Sequence, residues 1–249
     1  MKTVKKLTVL ALFATLFVSC NKDEGYSLGR FWVDIATVEN PNRHPAFFFR
    51  LDDGTRMWTA ATANLNYRPA DGQRIIADFT KLNTMPPGSD FQHNVRLNAA
   101  RNVLTKGIFA VTPETQDSIG NDPVRVENMW IGSDFLNIRF QFLGSNRVNY
   151  INLVSDASKD FGDGKIHLEF RRNANNDRPD FVRRGIVSFN LTSLQAQANG
   201  ASELDLVIHV RESEDTVRTF NLTYRFADAG RALHSSERFS IEDLNAEIR

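Results

Sequence analysis

Apolar and polar residues alternate singly along much of the chain, most plainly in Leu136-Asn137-Ile138-Arg139-Phe140-Gln141-Phe142. A period of two puts every apolar side chain on one face and every polar one on the other, as in a half-buried antiparallel strand. The same pattern predicts strands over Phe31–Val38, Ile166–Phe170, Leu204–Val210 and Phe220–Phe226. Helical spacing is confined to two short stretches, Ser193–Ala198 and Ile241–Ile248. The chain is therefore expected to be all-β.

Turn residues divide these runs. Asp53-Gly54 stands between Phe47–Leu51 and Arg56–Trp58, and because both turn residues tolerate positive φ this is a strong hairpin signal. Asp71-Gly72 and Asp163-Gly164 each precede a strand, and Pro86-Pro87-Gly88-Ser89 reads as a loop. The stretch Thr112–Pro123, rich in turn residues, is read as the domain boundary. About five strand candidates precede it and about seven follow, which fits a small OB-like β-barrel over 26–111 and an immunoglobulin-like antiparallel β-sandwich over 112–249.

Upstream of the first strand the pattern changes character. Three lysines fall within the first six residues, and Leu7–Cys20 carries no charge. A basic start followed by a short apolar run is the layout of a secretory signal peptide, here residues 1–19. Leu7–Val18 is shorter than the roughly 20 residues that a spanning helix needs. The junction Phe17-Val18-Ser19-Cys20, followed by polar Asn21-Lys22-Asp23-Glu24-Gly25, resembles a bacterial lipobox, with Phe17 where leucine is usual. In that chemistry the Cys20 sulfur is alkylated by diacylglyceryl and cleavage makes Cys20 the new N-terminus, leaving 20–25 as a lipidated residue and a short acidic tether. Cys20 is the only cysteine, so no intramolecular disulfide can brace the fold.

Thirty basic residues balance thirty acidic ones, which gives no overall field toward nucleic acid. The doublets Arg171-Arg172 and Arg183-Arg184 are read as rim charges. Of the five histidines, none is spaced as a metal pair, and His167 and His209 fall on the polar phase of their strands, as on a solvated sheet face. No zinc or other metal site and no cofactor is expected. Asp156–Glu169 superficially resembles a calcium loop, but its register puts Asp163 where the invariant glycine belongs. No nucleophile elbow or phosphate loop occurs. An enzyme is therefore not expected, and a carboxylate-dependent hydrolase using pairs such as Asp52 and Asp53 or Asp78 and Asp90 is the residual alternative.

Aromatic residues offer the other route to a ligand. Trp32, Trp58 and Tyr67 are candidate contacts, because exposed rings can stack on sugars or bases. Trp32 is opposite in phase to Phe31, Val33 and Ile35, so it points to the other face of its strand, toward an exposed contact, the barrel or the second domain.

The chain resembles the NigD-like lipoproteins of gut and oral bacteria. The resemblance rests on Gly25-Tyr26-Ser27-Leu28-Gly29 with Trp32-Val33, Ile35-Ala36-Thr37-Val38-Glu39 and Leu51-Asp52-Asp53-Gly54-Thr55. Tyr67-Arg68-Pro69, Asp71-Gly72-Gln73-Arg74 and Leu104-Thr105-Lys106-Gly107-Ile108 continue it, followed by Asp117–Val124, Met129-Trp130-Ile131-Gly132 and Ile151-Asn152-Leu153-Val154. It implies an N-terminal OB-fold domain, a C-terminal β-sandwich and a role as a bacteriocin immunity protein, with no catalytic residues. The acidic tether resembles the signal that sends lipoproteins of such bacteria to the outer face of the outer membrane, although a periplasm-facing anchor fits the same tether. Asp117-Ser118-Ile119 and Asp215-Thr216-Val217 resemble O-glycosylation triplets of those bacteria, which makes Ser118 and Thr216 candidates.

The expectation is thus a lipid-anchored outer-membrane protein that binds a protein or peptide toxin and not nucleic acid. The alternative is a glycan-binding accessory lipoprotein of an outer-membrane uptake system.

Overall fold

Alternation is realised strand by strand in the computed structural model, which describes residues 29–39, 47–63, 66–226 and 244–249. The signal peptide, Cys20 and the acidic tether lie outside the described residues. The first five strands are β1 (Trp32–Glu39), β2 (Phe48–Leu51), β3 (Arg56–Thr62), β4 (Arg74–Thr84) and β5 (His93–Asn102). They close into a barrel in the order β1-β2-β3-β5-β4, with β1 antiparallel to both β2 and β4 and with β3 parallel to β5. That is the topology of an OB fold. The Asp53-Gly54 hairpin forms as expected, with Gly54 at φ 85°, the Leu51 N–H donating to Thr55 O at 2.9 Å and the Thr55 N–H donating to Asp53 Oδ1 at 2.8 Å.

Both faces of β1 are covered. Ala36 and Val38 point into the barrel with Phe49, Met57, Ile75 and Phe79, whereas Val33 and Ile35 point out and join Ile76, Val103, Trp130, Ile186 and Leu244. That second cluster joins the two domains.

The sandwich consists of β6 (Leu104–Lys106), β7 (Ile108–Ala110), β8 (Arg125–Gly132), β9 (Phe135–Gly144), β10 (Tyr150–Ser155), β11 (Ile166–Asn173), β12 (Phe181–Asn190), β13 (Glu203–Arg211) and β14 (Val217–Arg225). One sheet runs β6-β12-β9-β8 and the other β14-β13-β11-β10-β7. Between them lies a core that includes Leu136, Ile138, Phe140, Leu153, Phe170, Phe189 and Ile208. Most ladders are antiparallel, but β6–β12, β7–β10 and β11–β13 are parallel. The last follows from β12 leaving for the opposite sheet between β11 and β13.

The domain boundary differs from the one read in the sequence. It falls at Val103, between β5 and β6, and not at Thr112. Thr112–Pro123 is a loop inside the sandwich that carries the one-turn helix α1 (Gln116–Ile119). The true junction contains no turn residue because β5 runs almost directly into β6. The chain then changes sheets at Gly107, so that β6 pairs with β12 and β7 with β10. Thr192–Gln197 is a 3₁₀ turn close to the expected helix. Of the other helical expectation, Ile241–Ile248, residues 244–248 are not helical but irregular, with a single bridge from Ile248 to Asn149, and the remainder lies outside the described residues. Residues 244–248 lie along the sandwich edge, where Ala246 N–H donates to Arg184 O and Asn149 N–H to Glu247 O, both at 2.9 Å.

A buried polar knot fastens the barrel to the outer face of the β9–β12 sheet. Arg74 on β4 is fully buried and grips Asp52 with both terminal nitrogens, at 2.5 and 2.8 Å. Arg74 Nη2 also donates to Asn137 Oδ1 on β9 at 3.0 Å, Asn137 Nδ2 donates to Asp52 Oδ2 at 2.9 Å, and Ser188 Oγ on β12 donates to Asn137 Oδ1 at 2.6 Å. The guanidinium further lies 4.4 Å from the Phe135 ring centroid. Low dielectric strengthens each of these bonds, and although Arg74 Nε is buried without a partner, the bonds of its two terminal nitrogens fix one docking geometry for the two domains.

Candidate functional site

Strand direction makes one end of the sandwich remote from the barrel. Asn137 meets the barrel, and Leu143 lies six residues further along β9, about 20 Å away at the usual strand rise. At that far end sits a groove of about 440 Å³ lined by Pro123, Val124, Phe142, Leu143, Pro179 and Val182, with Arg172 in its wall. Leu143 and Val182 in its lining are exposed, at 51% and 46%, and at the same end of the sandwich Phe181 beside Val182 and Tyr150 on the other sheet are exposed at 60% and 41%. Large exposed apolar side chains concentrated at one place are a signature of a binding surface.

The groove has a rigid floor. Arg172, expected to be a rim charge, is instead buried, as is Arg171. Arg172 Nε donates to Asn149 Oδ1 at 2.8 Å, Nη1 to Pro123 O at 2.7 Å and Nη2 to Leu143 O at 3.0 Å, while its guanidinium covers the Phe142 ring at 4.3 Å. It thereby ties the start of β8 to the end of β9. Burial lowers its pKa, with the charges of Asp122 and Asp177 acting in the opposite direction. Asp177 holds the neighbouring loop by accepting from the backbone N–H groups of Ser145, Asn146 and Arg147 at 2.8 to 3.2 Å and from Asn149 Nδ2 at 3.3 Å. Desolvation works to raise the Asp177 carboxyl, but these bonds prevail and hold its pKa below the ordinary carboxylate value. Asp122, Asp177 and Glu212 against Arg125 and Arg172 give the groove a slightly acidic border.

The aromatic candidates do not converge. Trp32 stacks on Phe79 at 6.3 Å, with Arg30 and Lys81 within 6 Å of its ring, at one end of the barrel. It takes the opposite face of β1 from Val33 and Ile35, and that face is the barrel interior, one of the three destinations expected for it. Tyr67 meets the edge of Phe47 at 5.9 Å at the other end, its hydroxyl bonded to Asn102, and burial pushes its pKa up to about 12. Trp58 is on the outer face of the barrel, packed on Phe48 at 4.6 Å and Phe91 at 5.2 Å, with Arg56 over Phe91. Beside this cluster an open polar cleft of about 530 Å³ is lined by Arg50, Asp53, Thr55, Gln92, Ser133 and Asp134 at the domain junction.

The acid pairs are engaged separately. Asp52 belongs to the Arg74 knot, Asp53 closes its own turn, Asp78 accepts from Asn98 Nδ2 at 3.0 Å, and the Asp90 carbonyl accepts from Arg56. Ser118 is exposed on α1, its hydroxyl donating to Thr115 O at 2.8 Å, and Thr216 is exposed in the β13–β14 hairpin. Among the described residues no group of three His, Cys, Asp or Glu could hold a metal ion. Sequence reasoning missed the groove because its residues come from four separate stretches of chain, and only the Leu143 and Val182 positions, apolar on an otherwise polar strand phase, signalled it.

Comparison with known proteins agrees with this architecture. Residues 35–103 match the NigD-like N-terminal OB domain and residues 107–224 the NigD-like C-terminal beta sandwich domain. Among curated proteins none matches the chain. A solved protein of unknown function from Bacteroides vulgatus is 27% identical, with a TM-score of 0.70 over 88% of this chain and 100% of that one. A toxin-related protein from Parabacteroides distasonis is 32% identical, with a TM-score of 0.67 over 80% and 96%. A NigD-like immunity protein from Bacteroides caccae shares the fold at 16% identity, with a TM-score of 0.60 over 78% and 96%. Two consecutive domain matches and an extended relative above 30% identity identify the chain as a member of the NigD-like family.

Proposed function

We propose that the protein is a lipid-anchored envelope protein of the immunity type, which acts by binding a protein or peptide toxin in the groove at the far end of its sandwich. The observation that carries this reading is the coincidence of an apolar groove, a rigid Arg172 floor and the exposed Leu143, Phe181 and Val182 beside it. Such a surface fits an apolar segment of a partner, with basic flanks suited to the acidic border. Its distance from the barrel suits a protein tethered through the N-terminal side, at Cys20. The related proteins described as toxin-related and as an immunity protein support the choice of partner class. Deleting the gene in a toxin-producing strain and restoring either the wild type or Val182→Asp tests it. Sensitivity to the strain's own toxin should appear on deletion and persist with the variant, and unchanged sensitivity on deletion removes the immunity role.

The second reading, a glycan-binding accessory protein, is favoured by the Trp58–Phe91 cluster beside the polar junction cleft, since Gln92 belongs to the cleft and Phe91 to the cluster. Rings next to polar side chains suit a sugar. Binding on a glycan array that Trp58→Ala abolishes would support it, and binding indifferent to that change would count against it.

A further inference from the structure

Two histidines that are far apart in sequence meet on the outer face of the β10–β11–β13 sheet. His167 Nδ1 and His209 Nε2 are 2.9 Å apart, and His167 Nε2 lies 3.0 and 3.1 Å from the two Asp163 carboxylate oxygens. Phe161 covers the pair, its ring parallel to His167 at 3.7 Å and 3°, and 5.3 Å from His209. The polar phase of the strands suggested a solvated face, yet the His167 side chain is only 12% exposed. The loop joining β10 to β11 is thus folded back on the sheet through an aromatic plate lying on imidazoles.

The contacts define where the protons are. Asp163 can only accept, so His167 Nε2 carries a hydrogen. The gap between His167 Nδ1 and His209 Nε2 then holds one hydrogen and has room for one. In the neutral pair it belongs to His209. A first added proton is accommodated with the bridge kept, because whichever ring takes it, the other still presents a bare nitrogen to the gap. A second added proton leaves two N–H groups pointing at each other across the same gap.

We infer that Phe161, Asp163, His167 and His209 form an acid-operated latch, closed while the imidazole pair shares a single bridging proton and opened when both rings are charged, which releases the Phe161 loop from the sheet. The charged groups facing the pair are Asp163 and Lys159 from the loop and Glu169 with its partner Arg171 from β11. From β14 the residue opposite His209 is uncharged Thr219. Burial, the His167 charge and Lys159 lower the His209 pKa and Glu169 opposes them, so the second proton enters below the usual imidazole value of about 6.5. Lys159, bonded to Glu169 and 3.5 Å from Asp156, remains as a tether at the loop's start, so opening is local.

Hydrogen exchange of residues 156–165 in the full chain tests the latch at about pH 7.5 and about pH 5, on either side of the imidazole range. After correction for the intrinsic pH dependence, exchange should rise at least about tenfold in acid as the loop's protection is lost. In His209→Gln, whose amide donates to His167 Nδ1 without ever becoming charged, the acid response should vanish. NMR titration of the two rings in the wild type should show two separated protonation steps. Equal loop protection at both pH values, the same acid response in His209→Gln, or two independent titrations near the ordinary imidazole value would each overturn the proposal.

Discussion

Arg74, fully buried, and Asp52, whose side chain is 8% exposed, face each other at the seam between barrel and sandwich, joined by two parallel bonds of 2.5 and 2.8 Å. Removing one member strands the other's charge. Arg74→Met should therefore destabilise the protein by about 3 to 5 kcal/mol, the range for a broken buried ion pair, measured by urea unfolding. Replacing both, as in Arg74→Met with Asp52→Leu, should recover part of that loss because no unpaired charge remains.

Gly132 is held against the same pair. A Cβ there would stand 2.3 Å from Asp52 Oδ2, and Asp52 cannot retreat while Arg74 and Asn137 hold it. Gly132→Ala should cost about 1 to 3 kcal/mol by overpacking, visible as a lower unfolding midpoint. An unchanged midpoint would mean that the seam can open.

At the groove the expected effect is on binding and not on folding. Leu143 and Val182 are about half exposed, so Leu143→Asp and Val182→Asp should leave stability within about 0.5 kcal/mol. Titration with the proposed toxin partner should show affinity weakened by at least about tenfold, or 1.4 kcal/mol. Loss of stability in step with loss of binding would instead point to a structural role.

Acid should act on two parts of the molecule at different pH. His209 has a lowered pKa, so its contribution is intact above the unfolded imidazole value of about 6.5 and is lost as pH falls below it. Asp177 also has a lowered pKa, so its contribution is intact above the unfolded carboxylate value of about 3.9 and is lost as pH falls through its folded value. Asp156, Asp163 and Glu169 also have lowered pKa values, so Asp177→Asn should shrink the lower step without abolishing it and leave the upper one, read from circular dichroism against pH.

Cys20→Ala should block acylation and leave an unanchored or unprocessed precursor, as tested by labelled fatty-acid incorporation and membrane fractionation. A variant that is still matured and membrane-bound would refute the lipid anchor.

The strands were legible because alternation is a local signal, and Leu136–Phe142 or Leu204–Val210 needs no partner to declare its faces. The boundary at Val103 was not, since a domain junction without turn residues leaves no mark, whereas the turn-rich Thr112–Pro123 imitates one. Trp32 shows the limit of phase: it says which residues share a face, but not that both faces of β1 are covered. Arg172 and the His167–His209 pair were misread for a related reason. Polar residues look solvated until the fold supplies Pro123 O, Leu143 O, Asn149 or the Phe161 ring as company.

The near-direct passage from β5 to β6 gives the molecule a mechanical character. Val103 is buried, and its N–H donates to Arg74 O at 2.9 Å, so the one residue between the domains is itself clamped. A pull arriving at the head of β1 is met in shear by its ladders to β2 and β4, and passes through the Arg74 knot into β9 and β12. The far tip is then carried as the end of a stiff arm, aimed by its root, and does not swing on a hinge.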